Sequence, residues 1–317
     1  MAGQHGQDPA SESRRDAENS SESIDAHAID RLVALAQDRP IAALTGAGIS
    51  TDSGIPDYRG KGAPPRTPMR VEQFLGDAAA RQRFWAGARL GAGAFGEARP
   101  NPAHLALAAL ERAGRLSGVI TQNVDGLHRL AGTQRLVELH GNGAMIRCVP
   151  GGHRFARTEV LGWIDQANPE LAETAARAVA TPNPDADAEI AGLVDLERVT
   201  VPHCPICGGL LRPDVVFFGE YVPAETFQAA REVVAAGGVL LVVGSSLAVN
   251  SGIRLLNQAE QAGTPIAIIN RGPTKGDARA AVRIEGGAAL TLTALATRLR
   301  IDDPIHVESA LERGTFG

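Results

Sequence analysis

Residues 41–59 read IAALTGAGISTDSGIPDYR, and this stretch decides the expected fold. The apolar run at 41–44 is typical of a buried strand. Gly46 and Gly48 follow it as a turn whose backbone can come close to a phosphate group. Thr51 stands where the dinucleotide-binding fingerprint has its third glycine, so only two-thirds of that pattern is present. An acid, an aromatic and a base follow at the end of the stretch. They indicate that a bound cofactor is consumed there as well as held.

Composition and charge limit the class of protein. The chain has 317 residues, of which 44% are hydrophobic and 21% charged, and this suits one large domain with or without a smaller module. A net charge of −5 argues against a general nucleic-acid surface. No apolar stretch approaches the ~20 residues that span a bilayer. Residues 1–24 are polar and acidic, which predicts a disordered tail and neither a secretion signal nor a transit peptide. We therefore expect a cytoplasmic protein without a direct nucleic-acid or membrane partner.

Apolar β-branched runs alternate with helical patterns along the chain. Strands are predicted at 41–44, 118–122, 135–139, 214–217, 239–244 and 266–270. Helices are predicted at 24–37, 102–112, 226–236, 251–262 and 288–299. This alternation indicates βαβ units, and hence an α/β fold in which a Rossmann-like parallel sheet carries helices on both faces. Ligands of such sheets lie beyond the carboxyl ends of the strands, so the motifs at those ends are expected to form one shared site.

Two segments interrupt the alternation. Residues 60–100 are rich in Gly, Pro and Arg, and we predict a helical insertion over the cofactor. Residues 144–212 hold all three cysteines, and we predict a small zinc-ribbon module inserted into the sheet domain. The predicted organisation has four parts: a tail at 1–24, a Rossmann-like domain at 25–143 and 213–300, the module at 144–212, and a second tail at 301–317.

Two strand ends carry side chains suited to catalysis. Gln122, Asn123 and Asp125 could recognise a carboxamide, although Asn and Asp at this place could equally cap a helix. His140 ends another strand beside a glycine, and it is a candidate general base because the unperturbed pKa of histidine lies near 6.5. A lone histidine is more often structural. Two further histidines in helical segments are interpreted as packing or capping residues: His104 and His128.

Three cysteines are too few for a disulfide framework, but their spacing indicates metal binding. A C-x-x-C pair with a third, distant cysteine supplies three zinc ligands: Cys148, Cys204 and Cys207. Gly151 stands where the spacing would place a fourth cysteine. His153 or His203 could complete a Cys₃His site, and the alternative is a decayed site that binds zinc weakly. A redox C-x-x-C is disfavoured because the motif does not open a helix after a strand.

Other strand ends carry weaker signals. Ser245 and Ser246 follow the most hydrophobic strand, where hydroxyl and N–H groups could bind phosphate or ribose. Residues 250–251 are predicted to cap the next helix, and Asn270 could bind ribose hydroxyls. The apolar strand within 212–220 ends in a glycine, so its edge could accept an extended peptide. The alternative is a plain core strand.

Six motifs occur together in this order and at these separations in sirtuins: GAGISTDSGIPDYRG, TQNVDGLH, LHGN, CPICGG, RPDVVFFGE and VVGSSL. The chain therefore resembles the sirtuin family over residues 25–300. Segments at 81–85, 100–104 and 251–252 are most similar to the class II branch of lipoamidase and ADP-ribosyltransferase-type sirtuins. The resemblance implies an NAD-binding domain and a zinc module with the substrate cleft between them. It implies NAD-dependent removal of acyl groups from lysine in proteins or peptides, with nicotinamide and O-acyl-ADP-ribose as the other products.

The resemblance also implies roles for individual residues. His140 would act as general base on a ribose hydroxyl. One structural zinc ion per chain would be held by the three cysteines and His153, at less than full affinity because the fourth cysteine is absent. The cofactor would contact a larger set: Gly46, Ala47, Gly48, Ser50, Asp57, Tyr58, Arg59, Gln122, Asn123, Asp125, Gly244, Ser245, Ser246, Asn270 and Arg271. The acyl-lysine peptide would pair with four residues: Val216, Phe217, Phe218 and Gly219.

Two other functions remain open at the level of sequence. A mono-ADP-ribosyltransferase would use the same chemistry with a different nucleophile. An NAD-sensing binding module would bind cofactor and a partner protein with little turnover. A dehydrogenase is disfavoured by Thr51 at the third glycine position. The tyrosine and arginine pair that desuccinylating sirtuins use for acidic acyl groups has no counterpart at 70–90, so acidic acyl specificity has no support.

Overall fold

The computed structural model describes residues 25–58, 68–177 and 193–301. Its strands, in chain order, are β1 (Ile41–Thr45), β2 (Leu116–Thr121), β3 (Leu136–Glu138), β4 (Gly141–Cys148), β5 (Arg154–Ala156), β6 (Leu211–Val215), β7 (Val239–Val243), β8 (Ile266–Asn270) and β9 (Val282–Glu285). Its helices are α1 (Ala26–Ala36), α2 (Val71–Gly76), α3 (Ala78–Leu90), α4 (Ala92–Glu97), α5 (Pro102–Arg112), α6 (Leu127–Leu130), α7 (Arg157–Ala167), α8 (Pro169–Arg177), α9 (Ala224–Ala236), α10 (Asn250–Gln261) and α11 (Ala288–Arg298).

Six strands form one parallel sheet in the order β3-β2-β1-β7-β8-β9. Ile41 and Ala43 of β1 face a core made with α1, α5 and α11. Ala42 and Leu44 face a second core made with α9 and α10. Because both faces are covered, every residue of β1, β7 and β8 is buried. The predicted α/β fold with a Rossmann-like parallel sheet is confirmed.

The ends of the helices follow local capping chemistry. The carboxylate of Asp25 accepts hydrogen bonds from the backbone N–H groups of His27 and Ala28, and this starts α1. Asn101 caps α5 by accepting from Ala103, and Pro102 occupies the first helical position, where a missing N–H costs nothing. These signals are read directly from neighbouring residues, and the predicted bounds of α5 therefore agree with the observed ones.

A second, three-stranded sheet has the order β5-β4-β6 and is antiparallel. Its apolar side chains share one core with the helices of the insertion and of the cysteine-bearing segment, including Phe74, Trp85, Ile146, Val160 and Leu171. The sequence reasoning treated these two segments as separate interruptions. In the structure they build one lobe, because their apolar faces bury each other and not the faces of the parallel sheet.

The strand predicted at 214–217 was expected in the parallel sheet, and this is wrong. The observed strand β6 pairs with β4, with Cys148 opposite Leu211 and Gly141 opposite Val215. A short apolar run carries no information about its partner, and β4 lies some sixty residues earlier in the chain. The predicted domain boundary at 213 falls inside β6. Strand β9 was not predicted, because its four residues, VRIE, alternate apolar and charged over too short a length.

Some predictions concern residues outside the described ranges. These are the tail at 1–24, nearly all of the tail at 301–317, the first part of the insertion through residue 67, and residues 178–192 of the module. Within the described ranges, no helix combines the length and the apolar content needed to cross a bilayer.

Candidate active site and metal-ligand cluster

The loops after β1, β2 and β7 meet at the carboxyl edge of the parallel sheet. The backbone N–H of Gln122, directly after β2, donates to the carbonyl of Thr45 at 2.9 Å. The side-chain amide of Gln122 donates to Ser245 Oγ at 2.8 Å, which joins the β2 loop to the β7 loop. Three of the predicted strand-end motifs therefore come together at one place, as the topology of a parallel sheet requires.

Glycines allow the β1 and β7 loops to touch. The N–H of Gly48 donates to the carbonyl of Gly244 at 2.8 Å, and the N–H of Gly46 donates to the carbonyl of Val243 at 3.0 Å. A Cβ at Gly48 would lie 2.9 Å from Gly244 Cα, and one at Gly46 would lie 2.8 Å from Gly244 O. The expectation that the backbone at Gly46 and Gly48 contacts a phosphate stays a prediction, but these two N–H groups donate within the protein. Both are already bonded, and glycine is needed here for the contact between loops.

A polar cluster lies beside the β1 loop. Ser50 Oγ donates to Asp125 Oδ2 at 2.7 Å, and Asn123 Nδ2 donates to Ser50 Oγ at 3.1 Å. The other carboxylate oxygen of Asp125 accepts from the N–H of Leu127 at 2.9 Å, at the start of α6. Burial raises the pKa of the Asp125 carboxyl, while the hydrogen bonds from Leu127 and Ser50 oppose the rise. Asp125 therefore serves both the polar site and the local helix start.

His140 lies in the short turn between β3 and β4, beside the same edge. Its Nδ1 lies 2.9 Å from the backbone carbonyl of Gln122, and a carbonyl can only accept, so Nδ1 carries the proton. Nε2 is then the basic nitrogen, and it lies 2.9 Å from Ser251 Oγ. Burial lowers the pKa of His140. The imidazole is therefore neutral at pH 7, which is the state that a general base requires.

Ser251 contacts the candidate base, although the sequence predicted a different role for it. It was predicted, together with Asn250, to cap α10, and this is wrong. The N-cap is Val249, in extended conformation and without a side-chain cap bond. Ser251 lies inside the first turn of α10. Its hydroxyl contacts His140, which precedes it by 111 residues in the chain. The available sequence signal was its place just after the GSSL motif.

The four residues expected to pair with a peptide follow β6. The N–H of Val216 donates to the carbonyl of His140 at 2.8 Å, and the N–H of Phe217 donates to Glu220 Oε2 at 2.8 Å. The carbonyl of Phe218 accepts from Val71 at 3.0 Å. The edge predicted to be open is thus partly occupied, because the loop is held by its own lobe. A peptide strand would have to use the other backbone groups of this run.

Arg212 and Glu220 stabilise the loop at 216–219. They form a bidentate ion pair with N–O distances of 2.6 and 2.7 Å, and the Arg212 side chain is 3% exposed. Its guanidinium also lies 4.6 Å from the ring centroid of Phe217 and donates to the carbonyl of Val215. Phe217 is buried against Phe74, with ring centroids 5.1 Å apart. The side chain of Phe217 is therefore a core element and does not face a ligand.

The remaining predicted cofactor residues lie on neighbouring loops. The amide of Asn270 at the end of β8 donates to the carbonyls of Arg271 and Gly272, both at 2.9 Å, and shapes that loop. The carbonyl of Ser246 accepts from Lys275 at 3.1 Å. Leu247, between the two loops, has a φ of +54° and is fully buried, so this turn holds backbone strain. Ala47, Asp57 and Tyr58 belong to the loop after β1. Arg59 lies outside the described residues.

A second constellation lies in the small lobe, where four potential metal ligands have atoms within 4.8 Å of one another: Cys148, His153, Cys204 and Cys207. The sulfurs of Cys148 and Cys207 are 3.4 Å apart, and His153 Nδ1 lies 3.4 Å from Cys204 Sγ and 3.7 Å from Cys207 Sγ. A tetrahedral zinc ion with standard bond lengths places its ligand atoms about 3.6–3.8 Å apart. The four groups therefore fit one zinc ion, and the alternative ligand His203 is not in the cluster.

Gly151 explains why histidine and not cysteine completes the cluster. A Cβ at this position would lie 2.5 Å from the imidazole of His153 and 3.1 Å from Cys207 Sγ. The ring of His153 occupies the space next to Gly151 where the missing fourth thiolate would stand. Burial raises the pKa of Cys204, but N–H donors from Cys207 and Ile206 outweigh it and lower that pKa to about 6. The lowered pKa favours the thiolate form of Cys204, which is the form that binds metals.

This combination defines a class of protein: a Rossmann-like α/β protein with a histidine at the cofactor edge and a Cys₃His metal-ligand lobe. The Sir2 family model matches residues 46–251. NAD-dependent protein deacetylase 1 of Mycobacterium avium (strain 104) is 46% identical over 269 residues, 84% of this chain and 94% of the relative. That of Streptomyces coelicolor is 46% identical over 267 residues, 83% and 88% of the two chains. A solved structure of Sir2 with a p53 peptide and NAD⁺ has a TM-score of 0.68 at 27% identity and covers 86% of this chain and 99% of that one.

The chain belongs to the Sir2 family. The predicted resemblance to sirtuins is confirmed by the family model, by the relatives and by the solved structures. The finer assignment to the class II branch stays a prediction.

Proposed function

We propose that this chain is an NAD-dependent protein lysine deacylase, which produces nicotinamide, O-acyl-ADP-ribose and the free lysine. Family membership supports the reaction type, since similar relatives are named NAD-dependent protein deacetylases. The observation that carries the proposal is the basic Nε2 of His140, which lies beside the edge where the loops of β1, β2 and β7 meet. A deacylase of this family needs one neutral base at that edge, and His140 has the tautomer and the protonation state for it.

The residues present fit NAD. The β1 and β7 loops approach so closely that Cβ atoms at Gly46 and Gly48 have no room, and the polar cluster around Ser50 lies beside them. Within the cluster, Asn123 and Asp125 would orient the carboxamide, and Ser245 would contact the phosphate or ribose. The other predicted cofactor contacts are part of the same proposal. Bound NAD supplies an electrophilic ribose carbon from which nicotinamide can leave.

His140 would act on a ribose hydroxyl. Its Nε2 accepts the hydroxyl proton, while Nδ1–H stays bonded to the carbonyl of Gln122. That carbonyl is a fixed acceptor, so it stabilises the imidazolium as the positive charge forms. The lowered pKa of His140 keeps the ring unprotonated before the step. Geometry and protonation state therefore favour proton removal and not proton donation at the start.

In the small lobe, Cys148, His153, Cys204 and Cys207 would hold one structural zinc ion. All four tetrahedral positions would be filled by protein, so the ion would stabilise the fold of the lobe and would not bind substrate. The lobe and the sheet domain would frame the cleft for an acylated lysine, with residues 216–219 along its wall. We further propose that the protein acts in the cytoplasm, without direct nucleic-acid or membrane contacts.

The test uses purified protein, NAD and lysine peptides that carry acetyl, longer fatty, lipoyl and acidic acyl groups. Mass spectrometry follows peptide, nicotinamide and ADP-ribose products. We expect NAD-dependent loss of one acyl group, with O-acyl-ADP-ribose formed. The variant His140→Ala should lose deacylation by about 100-fold or more while it still binds NAD. The exposed histidine variant His27→Gln is the matched control and should match the wild type.

Other outcomes would contradict the proposal and identify its replacement. A peptide or protein heavier by ADP-ribose, with its acyl group retained, would establish a transferase. NAD binding without nicotinamide release would establish a binding module. Turnover by His140→Ala close to that of the wild type would refute the assignment of the base.

A further inference from the structure

Ser251 is the partner of the catalytic nitrogen of His140. Its Oγ lies 2.9 Å from Nε2, the nitrogen left without a proton because Nδ1–H is bonded to Gln122. Ser251 is only 7% exposed, so the contact is largely shielded from solvent. Since a lone pair can only accept, the hydroxyl of Ser251 donates to it in the resting protein.

The position of Ser251 is set from two sides. Helix α10 begins with Val249 as its N-cap and without a side-chain cap bond, so the serine hydroxyl is not used for capping. The next residue is Gly252, where a Cβ would lie 3.2 Å from Leu247 and 3.6 Å from the side-chain amide of Gln122. The first turn of α10 is therefore pressed against the residue whose carbonyl holds the other nitrogen of His140. One contact region aligns both nitrogens of the ring.

We infer that Ser251 is a positioning residue for His140: its hydroxyl aligns Nε2 before proton transfer and accepts a hydrogen bond from it afterwards. The inference rests on the proposed deacylase function. A hydroxyl has one donor hydrogen and two acceptor lone pairs, so it can change role without moving its oxygen. Before the step it donates to the lone pair of Nε2. During the step the ribose hydroxyl replaces Ser251 as the donor to Nε2: its proton passes to Nε2, and its oxygen keeps the electron pair and becomes the nucleophile. The Ser251 hydroxyl rotates about its C–O bond, so that its oxygen, beside the ribose oxygen, accepts from the new Nε2–H.

An alanine at this position would leave the ring held from one side only. The carbonyl of Gln122 would still fix the tautomer, but the ring could rotate about its axis towards unproductive orientations. A single hydrogen bond of this kind corresponds to about a tenfold change in an equilibrium or a rate. We therefore expect Ser251→Ala to lower kcat for deacylation about tenfold. The KM for NAD should stay within about twofold, since the first step, loss of nicotinamide, needs no base.

The kinetic test compares four proteins in the same assay: wild type, Ser251→Ala, His140→Ala and the double variant. Nicotinamide exchange reports the first step, and O-acyl-ADP-ribose formation reports the base-dependent step. We expect Ser251→Ala to retain exchange and to lose product formation about tenfold. On the His140→Ala background the same change should cost nothing further, because the serine acts only through the histidine. Ser117→Ala, which removes a half-buried hydroxyl at the other end of β2, is the control and should keep wild-type kcat.

A spectroscopic readout separates this inference from the proposed function. In ¹⁵N-labelled protein, the Nε2 resonance of His140 reports whether its lone pair accepts a hydrogen bond. Ser251→Ala should move that resonance towards the value of a free imine nitrogen, whether or not the protein turns over. An unchanged Nε2 resonance, or product formation by Ser251→Ala within twofold of wild type, would overturn the inference. An inactive wild type would instead refute the proposed function.

Discussion

Two buried histidines predict that the protein loses stability in acid. His104 of α5 and His128 of α6 face each other with ring centroids 4.8 Å apart, and their exposed fractions are 0% and 1%. His128 Nε2 lies 2.9 Å from the hydroxyl of Thr45. Burial lowers the pKa of His128 to about 3, and burial together with the nearby His128 lowers the pKa of His104 well below its usual value. The folded state therefore keeps both rings neutral.

The sign and the size of the effect follow from linkage. In the unfolded chain His128 titrates near 6.5, so it binds a proton at a pH where the folded protein does not. Its contribution is complete above pH 6.5 and is lost as the pH falls towards the folded pKa of about 3. Between pH 7.5 and pH 5.0 the loss for His128 alone is about 2 kcal/mol. His104 adds a loss of the same sign.

The assay is urea unfolding at pH 7.5, 6.0 and 5.0 for wild type and His128→Gln. Glutamine can place a nitrogen towards Thr45 but cannot take up a proton in this range. The variant should be less stable than wild type at pH 7.5, because it loses the ring contact with His104. The difference in unfolding free energy should then shrink by about 2 kcal/mol at pH 5.0.

His27, exposed on α1, supplies the control: His27→Gln should follow the wild-type pH dependence. If wild type and His128→Gln instead lose the same free energy between pH 7.5 and pH 5.0, the reasoning from buried neutral rings is refuted.

Three further predictions concern the metal cluster, the buried ion pair and the loop contact. Metal analysis should find one zinc per chain in the wild type and none in His153→Ala. Gly151→Cys alone should also lose zinc, because its Cβ would lie 2.5 Å from the imidazole of His153. The double variant Gly151→Cys/His153→Ala should bind zinc again, through four thiolates. Glu220→Ala leaves Arg212 buried without its partner, and chemical unfolding should show a loss of about 3 kcal/mol. Gly46→Ala should lower the unfolding free energy by about 1–3 kcal/mol and weaken NAD binding in calorimetry, since its methyl group meets backbone at 2.8 Å.

Each of these has a contrary result. Full zinc content in His153→Ala would remove the histidine from the ligand set. Surface ion pairs contribute up to about 1 kcal/mol. If the unfolding free energy of Glu220→Ala stays within about 1 kcal/mol of wild type, Arg212 must find water or another acceptor. Wild-type NAD affinity in Gly46→Ala would show that the loops can separate without cost to the cofactor site.

Local patterns predicted the elements whose signals are local. Strand β8 and helix α5 have the predicted bounds, because a short, mostly apolar run rich in Ile and an Asn-Pro start are each recognised within a few neighbouring residues. His140 could be singled out because it follows a strand, and the ends of parallel strands share one edge. The C-x-x-C spacing of Cys204 and Cys207 similarly predicts a metal site from the sequence alone.

The sequence by itself thus determined the α/β class, the edge that carries the active site, and the types of ligand in the small lobe. Only the tertiary structure decided that β6 pairs with β4, that Gly48 is needed for contact with Gly244, and that Ser251 holds His140. The physical reason is the distance along the chain over which each interaction acts. Propensity, capping and spacing act between residues that are close in the chain, whereas sheet partnership, loop contact and the 2.9 Å bond across 111 residues exist only after apolar faces have packed.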